Sequence, residues 1–374
     1  MFRFTILLLA TSLLPCAFLY AQDSVPIAPE METPVEIVPE DDIPDYLAPQ
    51  NQHPEGAENA PAENELDDLL LLRIRQGLRY LADQQAENGS FGRGRFSNHV
   101  AITALAGLAF MSDGHVPGRG QYGDHVQRAV NFILDSSQES GLIAADTVHG
   151  PMYGHGFATL FLGEIYGMSE TDDRVREVLE KAVDLIVRTQ NRQGGWRYQP
   201  VPVDADVSVT ICEVMALRSA RNAGIKVPRS TIDRAVRYVR ECQNQDGGFR
   251  YMIRMGTSAW PRTAAGVATL FYAGIYEDDS IDQGLGYLVR TALPGRSRVR
   301  QSHYYYGQYY ATQAMYLAGG NWWRSWWGAA REDLMRRQSA NGGWLDNQIG
   351  GAYSTAMALI VLQMPKRYLP IFQR

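Results

Sequence analysis

Five polar residues stand at matching positions in this chain, each four places ahead of a small residue within an apolar run. His99 precedes Thr103, His155 precedes Thr159, Asp206 precedes Thr210, Arg262 precedes Gly266 and Gln308 precedes Thr312. Ala352 before Ala356 completes the set as its non-polar member. Four residues is about one helical turn. If the runs are parallel helices, the six positions form a ring at one end of an apolar interior. Such an interior with a few converging polar groups is the usual form of a ligand site. Asp204, Tyr153, Trp260, His303, Tyr305, Tyr306 and Tyr309 lie close to the ring in sequence. Asp204 and Asp206 supply the carboxylates of this group. His99, His155, Trp260, Arg262, His303, Tyr305, Gln308 and Tyr309 are the candidate ligand contacts. Capping is the competing reading: Asp204 or Asp206 suits the N-cap of a helix from Val207, and Ser97 or Asn98 the N-cap of one from Val100.

The elements that must hold this ring announce themselves through a recurring motif. A glutamine, then a glycine pair and an aromatic ring, stands as Gln190-x3-Gly194-Gly195-Trp196, Gln243-x3-Gly247-Gly248-Phe249 and Gln338-x3-Gly342-Gly343-Trp344. Gln85-x3-Gly89-Ser90-Phe91 is a near copy, and Gln138 with Gly141 a degenerate one. The glutamines lie 53, 52, 53 and 95 residues apart, which leaves room for one lost copy. A period near fifty marks a repeat architecture.

Each period reads as helix, turn, helix. Amphipathic helices are expected over Leu69–Gln85, Val126–Ser137, Val175–Thr189, Ile232–Cys242, Ile281–Arg290 and Trp326–Arg337. Glycine ends such helices because it takes positive φ cheaply. The glutamine can hydrogen-bond exposed backbone there while the ring packs between neighbours. The second helices, Val100–Met111, Phe157–Tyr166, Val207–Ala220, Thr263–Tyr276, Tyr309–Ala318 and Tyr353–Met364, are apolar nearly all round. A helix of that kind must be enclosed. The expected fold is all-α, an α/α toroid of six helix hairpins spanning residues 69–374.

In these motifs the chain resembles the prenyltransferase and squalene-cyclase repeat proteins, whose signature Gln-x3-Gly-x-Trp is matched at Gln190, Gln243 and Gln338. Its last copies, Ala318-Gly319-Gly320-Asn321-Trp322 and Tyr353-Ser354-Thr355-Ala356, look like exported bacterial members of unknown activity. Toroids of this kind serve prenyl transfer, triterpene cyclisation and thioester chemistry, so fold alone leaves function open. Val203-Asp204-Ala205-Asp206-Val207-Ser208 is similar to the Asp-x-Asp-Asp motif of protonating cyclases. There, clustered carboxylates keep one proton acidic enough to attack an alkene, and aromatic rings stabilise the cation. Asp206 matches the acid, but Val207 replaces the final aspartate. Prenyltransferase β subunits hold zinc with Asp-x-Cys and a later histidine; His303 resembles the histidine, but the chain has no Asp-x-Cys. Zinc between His99, His155 and Asp206 would have suitable ligand types but no ligand spacing. No Cys-Gly-Glu-Gln is present for a thioester. No cofactor is expected.

Composition bounds the partners. Arg3 and the apolar run from Phe4 to Tyr20 read as a signal peptide over residues 1–21, placing the protein in the secreted or periplasmic space with no stable membrane span after cleavage. Residues 22–68 hold 14 acids, no Lys or Arg, and closely spaced prolines, the composition of a disordered acidic linker. The remaining domain has 34 bases against 27 acids, with no basic block interleaved with aromatics, which argues against nucleic acid. Arg296, Arg298 and Arg300, leading to His303, suit either a phosphate cradle or a solvated loop. Trp322, Trp323, Trp326 and Trp327 suggest a helix start wedged between hairpins. Cys212 and Cys242 are expected as buried thiols. The expected function is binding of an apolar or isoprenoid-like small molecule in the chamber. A non-catalytic module recognising a protein or envelope component is the alternative, and cyclase or transferase chemistry a further one. Oligomeric state is open.

Overall fold

The computed structural model describes residues 65–145, 150–166, 173–254, 256–295 and 302–373. The expected signal peptide, the linker up to residue 64 and the arginines at 296, 298 and 300 lie outside the described residues. Among those described there are twelve α-helices. Six form an outer layer: α1 (Asp68–Ala82), α3 (Gly123–Asp135), α5 (Asp173–Thr189), α7 (Arg229–Glu241), α9 (Asp279–Ala292) and α11 (Gly320–Arg337). Six form the inner ring: α2 (Val100–Met111), α4 (Met152–Tyr166), α6 (Val207–Asn222), α8 (Trp260–Tyr272), α10 (Tyr304–Ala318) and α12 (Gly351–Gln363).

The inner helices pack in succession, and α12 returns to pack on α2, so the ring closes. Their composition requires this enclosure. Every residue of α2 from Val100 to Met111 is buried, whereas α7 buries only one stripe that includes Ala235, Val236 and Val239. Full burial of a Leu, Val or Ile stabilises by about 1.5–3 kcal/mol each, against about 1 kcal/mol for a helix cap. Packing therefore decides the architecture and capping trims it.

The glutamine motif is the joint between successive hairpins. Gln190 Nε2 donates to Gly194 O at 2.7 Å and, across to α7, to Thr231 O at 2.9 Å. Gln243 bridges Gly247 O and Ser280 O at 3.0 and 2.8 Å. Gln85 bridges Gly89 O and His125 O, both at 2.9 Å. Gln338 makes the joint that closes the circle, donating to Gly342 O at 2.8 Å and to Arg73 O of α1 at 2.9 Å. The first glycine of each motif has positive φ, and a methyl group there would overlap a backbone carbonyl of the next outer helix: Arg234 for Gly194, Gln76 for Gly342. Trp196 and Trp344 each give the indole N–H to a carbonyl of the preceding outer helix, Ile186 O and Leu334 O, at 2.7 Å.

Leu66, Asp67 and Asp68, assigned from sequence to the end of the linker, belong to this packing. Asp67 N-caps α1 through Leu70 N at 2.8 Å, and Leu66 lies on the core. Glu65 accepts from Trp323 Nε1 at 2.8 Å, and Trp323 stacks on Trp327.

Candidate functional site

On four inner helices a threonine holds the motif's aromatic residue, whereas Thr159 donates to His155 O at 2.8 Å and Thr312 accepts from Trp326 Nε1 at 3.1 Å. Thr103, Thr210, Thr263 and Thr355 each accept, through Oγ1, the backbone N–H of the motif's aromatic residue: Phe91, Trp196, Phe249 and Trp344, at 2.9, 3.2, 2.9 and 2.9 Å. This common bond corrects the expected register. Thr263, not Gly266, is the counterpart of Thr210, and Thr355, not Ala356, takes that place on α12. Gly266 instead lies beneath the Phe249 ring. The residue one turn ahead is then Ala259 rather than Arg262. Arg262, in the first turn of α8, donates to Thr257 O at 3.0 Å in the loop just ahead of it.

Two further candidates shift because their helices begin earlier than expected. α4 starts at Met152 and α10 at Tyr304, so His155 and Gln308 lie inside helices, not at entrances. The glycines that masked these starts serve close packing: a methyl group at Gly156 would press on the Cys212 backbone of α6, and one at Gly307 would enter the Trp260 ring. Trp260 thus stitches α8 to α10. His155 is wholly buried; its Nδ1 accepts from Ile143 N at 3.2 Å and its Nε2 faces Ala182 O at 3.2 Å. Both nitrogens are committed to backbone, and burial lowers its pKa to about 4. His155 is a structural bridge between α4 and α5. His99 takes the N-cap position of α2 with its ring edge on Phe96. Among the described residues no three of His, Cys, Asp or Glu gather to hold a metal, so His99, His155 and Asp206 form no zinc site. His303 is exposed in left-handed backbone ahead of α10. Tyr305 packs on Tyr304, which donates to Asp333 of α11 at 2.6 Å. Gln308 is buried, and its Oε1 has no partner among the described residues.

What the fold does bring together centres on Asp206. This carboxyl is wholly buried at the N-cap of α6. Its Oδ1 accepts from Val209 N at 2.9 Å and Ser208 Oγ at 2.6 Å, and its Oδ2 from Tyr251 Oη at 3.1 Å. Tyr251 in turn shares a hydrogen bond with Tyr198. Arg197 pairs with Asp204, lies over the rings of Tyr198 and Tyr251, and holds its Nε 3.8 Å from Asp206. Burial raises the Asp206 pKa, and the bonds from Ser208, Val209 and Tyr251 and the charge of Arg197 oppose that rise. A carboxyl in this position can keep a proton above the ordinary acid range. Capping and site roles coincide in the same residue.

Below Asp206 the inner face is aromatic. Tyr306 donates to Ser208 O at 3.3 Å, Tyr310 meets Cys212 Sγ at 3.2 Å, and Tyr309 lies between Tyr310 and Phe157. Tyr309 and Tyr310 have 1% and 0% of their surface accessible, so side chains fill the axis at this depth. At this depth the interior expected from the sequence is occupied by a packed tyrosine column. Nearer the mouth, Tyr153, Tyr198, Tyr251, Tyr306 and Tyr353 remain partly accessible, although burial pushes each hydroxyl's pKa upward. Tyr153, Tyr198, Tyr251 and Tyr306 lie within electrostatic reach of Asp206, and Tyr353 within reach of Tyr306. Two open grooves of about 410 and 180 Å³ lie elsewhere, on the charged outer surface around Lys181, and neither touches Asp206.

Arg197, Tyr198 and Tyr251 were not singled out from sequence, yet a signal existed. Trp196-Arg197-Tyr198 and Phe249-Arg250-Tyr251 repeat an Arg-Tyr pair directly after the motif's ring. Two other features are informative. Cys212 and Cys242 are both buried free thiols. Glu213 is wholly buried, neither of its carboxyl oxygens has a partner among the described residues, and burial raises its pKa well above the usual range.

No known protein-family profile matches the chain. Drimenyl diphosphate synthase from Streptomyces showdoensis is 26% identical over 161 residues, 43% of this chain and 28% of that protein. The chain thus spans about a quarter of that relative's length. Among solved structures, the type II terpene cyclase MstE from Scytonema, in a variant complexed with its substrate geranylgeranyl dihydroxybenzoate, matches with a TM-score of 0.58 at 16% identity. That match covers 80% of this chain and 98% of that one. An alpha-1,6-mannanase from a Salegentibacter species matches with a TM-score of 0.60 at 8% identity, covering 80% and 99%. These likenesses establish a helical toroid of the terpene-cyclase-like kind.

Proposed function

We propose that this protein binds an apolar, isoprenoid-like molecule at the mouth of the toroid. The polar or reacting end of that molecule lies against Asp206, and its tail lies on the partly accessible tyrosines at the mouth. One observation carries the reading: a fully buried carboxyl, held by Tyr251, Ser208 and a helix N-terminus, stands beside a cluster of partly accessible tyrosines. Such rings suit apolar chains and stabilise positive charge on their faces. The terpene synthase relative and the terpene cyclase neighbours support the same substrate class.

Chemistry is a further step on the same site. A carboxyl kept protonated by burial can donate to an alkene or a leaving oxygen. Val207, where the resembling motif has its last aspartate, is buried and gives its N–H to Tyr251 O at 3.0 Å. Asp206 therefore leans on Tyr251 and Ser208 where the cyclase motif would supply an anion. Export through residues 1–21 would place this binding outside the cytosol. The filled axis favours one second reading, a recognition module that engages an envelope component at its rim without admitting it.

The test is to purify the chain, extract it with organic solvent and identify what co-purifies by mass spectrometry. Thermal shifts with farnesol, geranylgeraniol and squalene provide the second arm. Retained isoprenoid, lost in Tyr306→Ala, supports the proposal. A clean extract together with flat thermal shifts overturns it and leaves the rim reading.

A further inference from the structure

Residues 364–373 form a strap across the end of the toroid opposite the mouth, where the inner helices finish. Lys366 pairs with Asp113, just past α2, and Asp113 also meets His115 Nε2 at 3.2 Å. The Tyr368 ring lies over Gly114. Leu369, Ile371 and Phe372 are buried, and the short helical turn 370–372 packs on α6. At its far end the strap makes one polar anchor: Ile371 N donates to Glu164 Oε2 at 3.1 Å, while Ser219 Oγ holds Glu164 Oε1 at 2.7 Å.

We propose that this strap is a removable plug over the base of the toroid, latched by the Glu164 carboxyl, whose release opens a second way into the interior. The plug covers the lower end of the same aromatic column. Glu164 lies within electrostatic reach of Tyr272 and Tyr309, and Tyr272 donates to Gln313 one turn below Tyr309. The inference stands on the strap's own contacts and does not require that the mouth bind an isoprenoid.

The latch has a built-in sensitivity to protons. Ser219 from α6, Tyr272 from α8, Tyr309 from α10 and Ile371 from the strap face Glu164. Arg218 is the nearby cation, acting on Tyr272. Lys366, Asp113 and His115 are the charged groups at the strap's other anchor. None of these is recorded in an ion pair with Glu164. Burial accordingly raises its pKa to about 7, although the bonds from Ser219 and Ile371 oppose the rise. The closed strap thus favours the neutral acid, and a released, hydrated Glu164 returns toward the ordinary carboxylate range. Rising pH between those two values shifts the balance toward opening, by up to about tenfold per pH unit.

Amide hydrogen exchange on the full chain between pH 5 and 8, corrected for intrinsic exchange, reads the opening of Ile371 and Phe372 directly. The expected result is an opening population that climbs roughly 40-fold from pH 5 to pH 7, then by only about another twofold to pH 8. Glu164→Gln should flatten that climb, while Lys366→Ala should raise opening at every pH and leave the climb intact. If Glu164→Gln does not fold, Ser219→Ala should raise opening and keep the slope. Opening that is independent of pH in the wild type, or an unchanged climb in Glu164→Gln, overturns the latch. A flattened climb in Lys366→Ala would move the switch to the Asp113–His115 anchor and overturn it equally.

Discussion

Tyr251 and Asp206 are joined in both directions across the start of α6. The Tyr251 hydroxyl donates to Asp206 Oδ2 at 3.1 Å, and the residue after Asp206 returns the contact, Val207 N donating to Tyr251 O at 3.0 Å. The loop before α8 is thereby fixed to the N-terminus of α6. The candidate acid belongs to a joint between two hairpins as much as to one helix.

Tyr251→Phe keeps the ring and the backbone bond but removes the hydroxyl from Asp206. The expected cost is about 1 kcal/mol, because a buried acceptor loses one of its donors. The Asp206 pKa should also rise further, since the Tyr251 bond is one of the forces that lower it. Urea unfolding measures the first effect, and carboxyl-region infrared or ¹³C NMR titration the second. An unaltered titration would mean that Tyr251 does not tune the acid.

Asp206→Asn and Asp206→Ala separate cap from proton. Asparagine still accepts from Val209 N, so its fold should stay within about 1 kcal/mol of wild type. Alanine removes the cap and orphans both Ser208 and Tyr251, for a loss of roughly 2–4 kcal/mol. Equal stability of the two variants would show that the cap bond is not what fixes α6. Loss of retained isoprenoid in the asparagine variant, with the fold intact, would assign function to the ionisable group.

Glu213→Met should stabilise the protein by about 1–3 kcal/mol. The wild-type carboxyl is buried with neither oxygen partnered among the described residues. Replacing such a group by an apolar chain of similar length removes a desolvation cost. Thermal unfolding decides the sign. A destabilised variant would mean that the carboxyl holds something the bare chain does not show.

Closure of the ring can be tested at Gly342. An alanine there must adopt left-handed backbone and overlap the Gln76 carbonyl of α1, whereas Gly224 has positive φ but open space around it. Gly224→Ala should cost about 1 kcal/mol and Gly342→Ala roughly 1–3 kcal/mol more. Equal costs would mean that the contact from Gly342 to α1 does not constrain the ring.

Much of this architecture was legible because its causes are local. Apolar residues run nearly all round α2, and the glutamine motif recurs at the joint it makes. Asp206 was legible for the same reason, as an acid directly ahead of such a run. The failures came where packing decides direction. Nothing in the string Tyr153-Gly154-His155-Gly156 tells that the imidazole turns outward to Ala182, because that depends on how α5 lies. Small size alone points to Gly266 for the ring position, while the hydrogen bond from Phe249 that defines the register belongs to Thr263. Periodicity likewise does not foretell that Phe157, Tyr309, Tyr310 and Tyr306 pack on one another inside the ring.

Two buried titrating groups give the fold opposing responses to acid, and their variants should disentangle them. His155 is held near pKa 4 against an ordinary 6.5, so its contribution is full above 6.5 and lost as pH falls through 4. That loss amounts to roughly 3 kcal/mol. Glu164 is raised to about 7 from 4.5, so its contribution is full below 4.5 and lost as pH rises through 7. Between 4.5 and 6.5 the two slopes oppose each other, on top of the fall contributed by the raised acids Glu213 and Asp206. Relative to wild type, His155→Gln should make stability fall more steeply with rising pH. Glu164→Gln should make it fall less steeply or rise. Urea midpoints at half-unit steps from pH 4 to 8 measure both. Parallel curves for the two variants would show that neither burial controls the pH response.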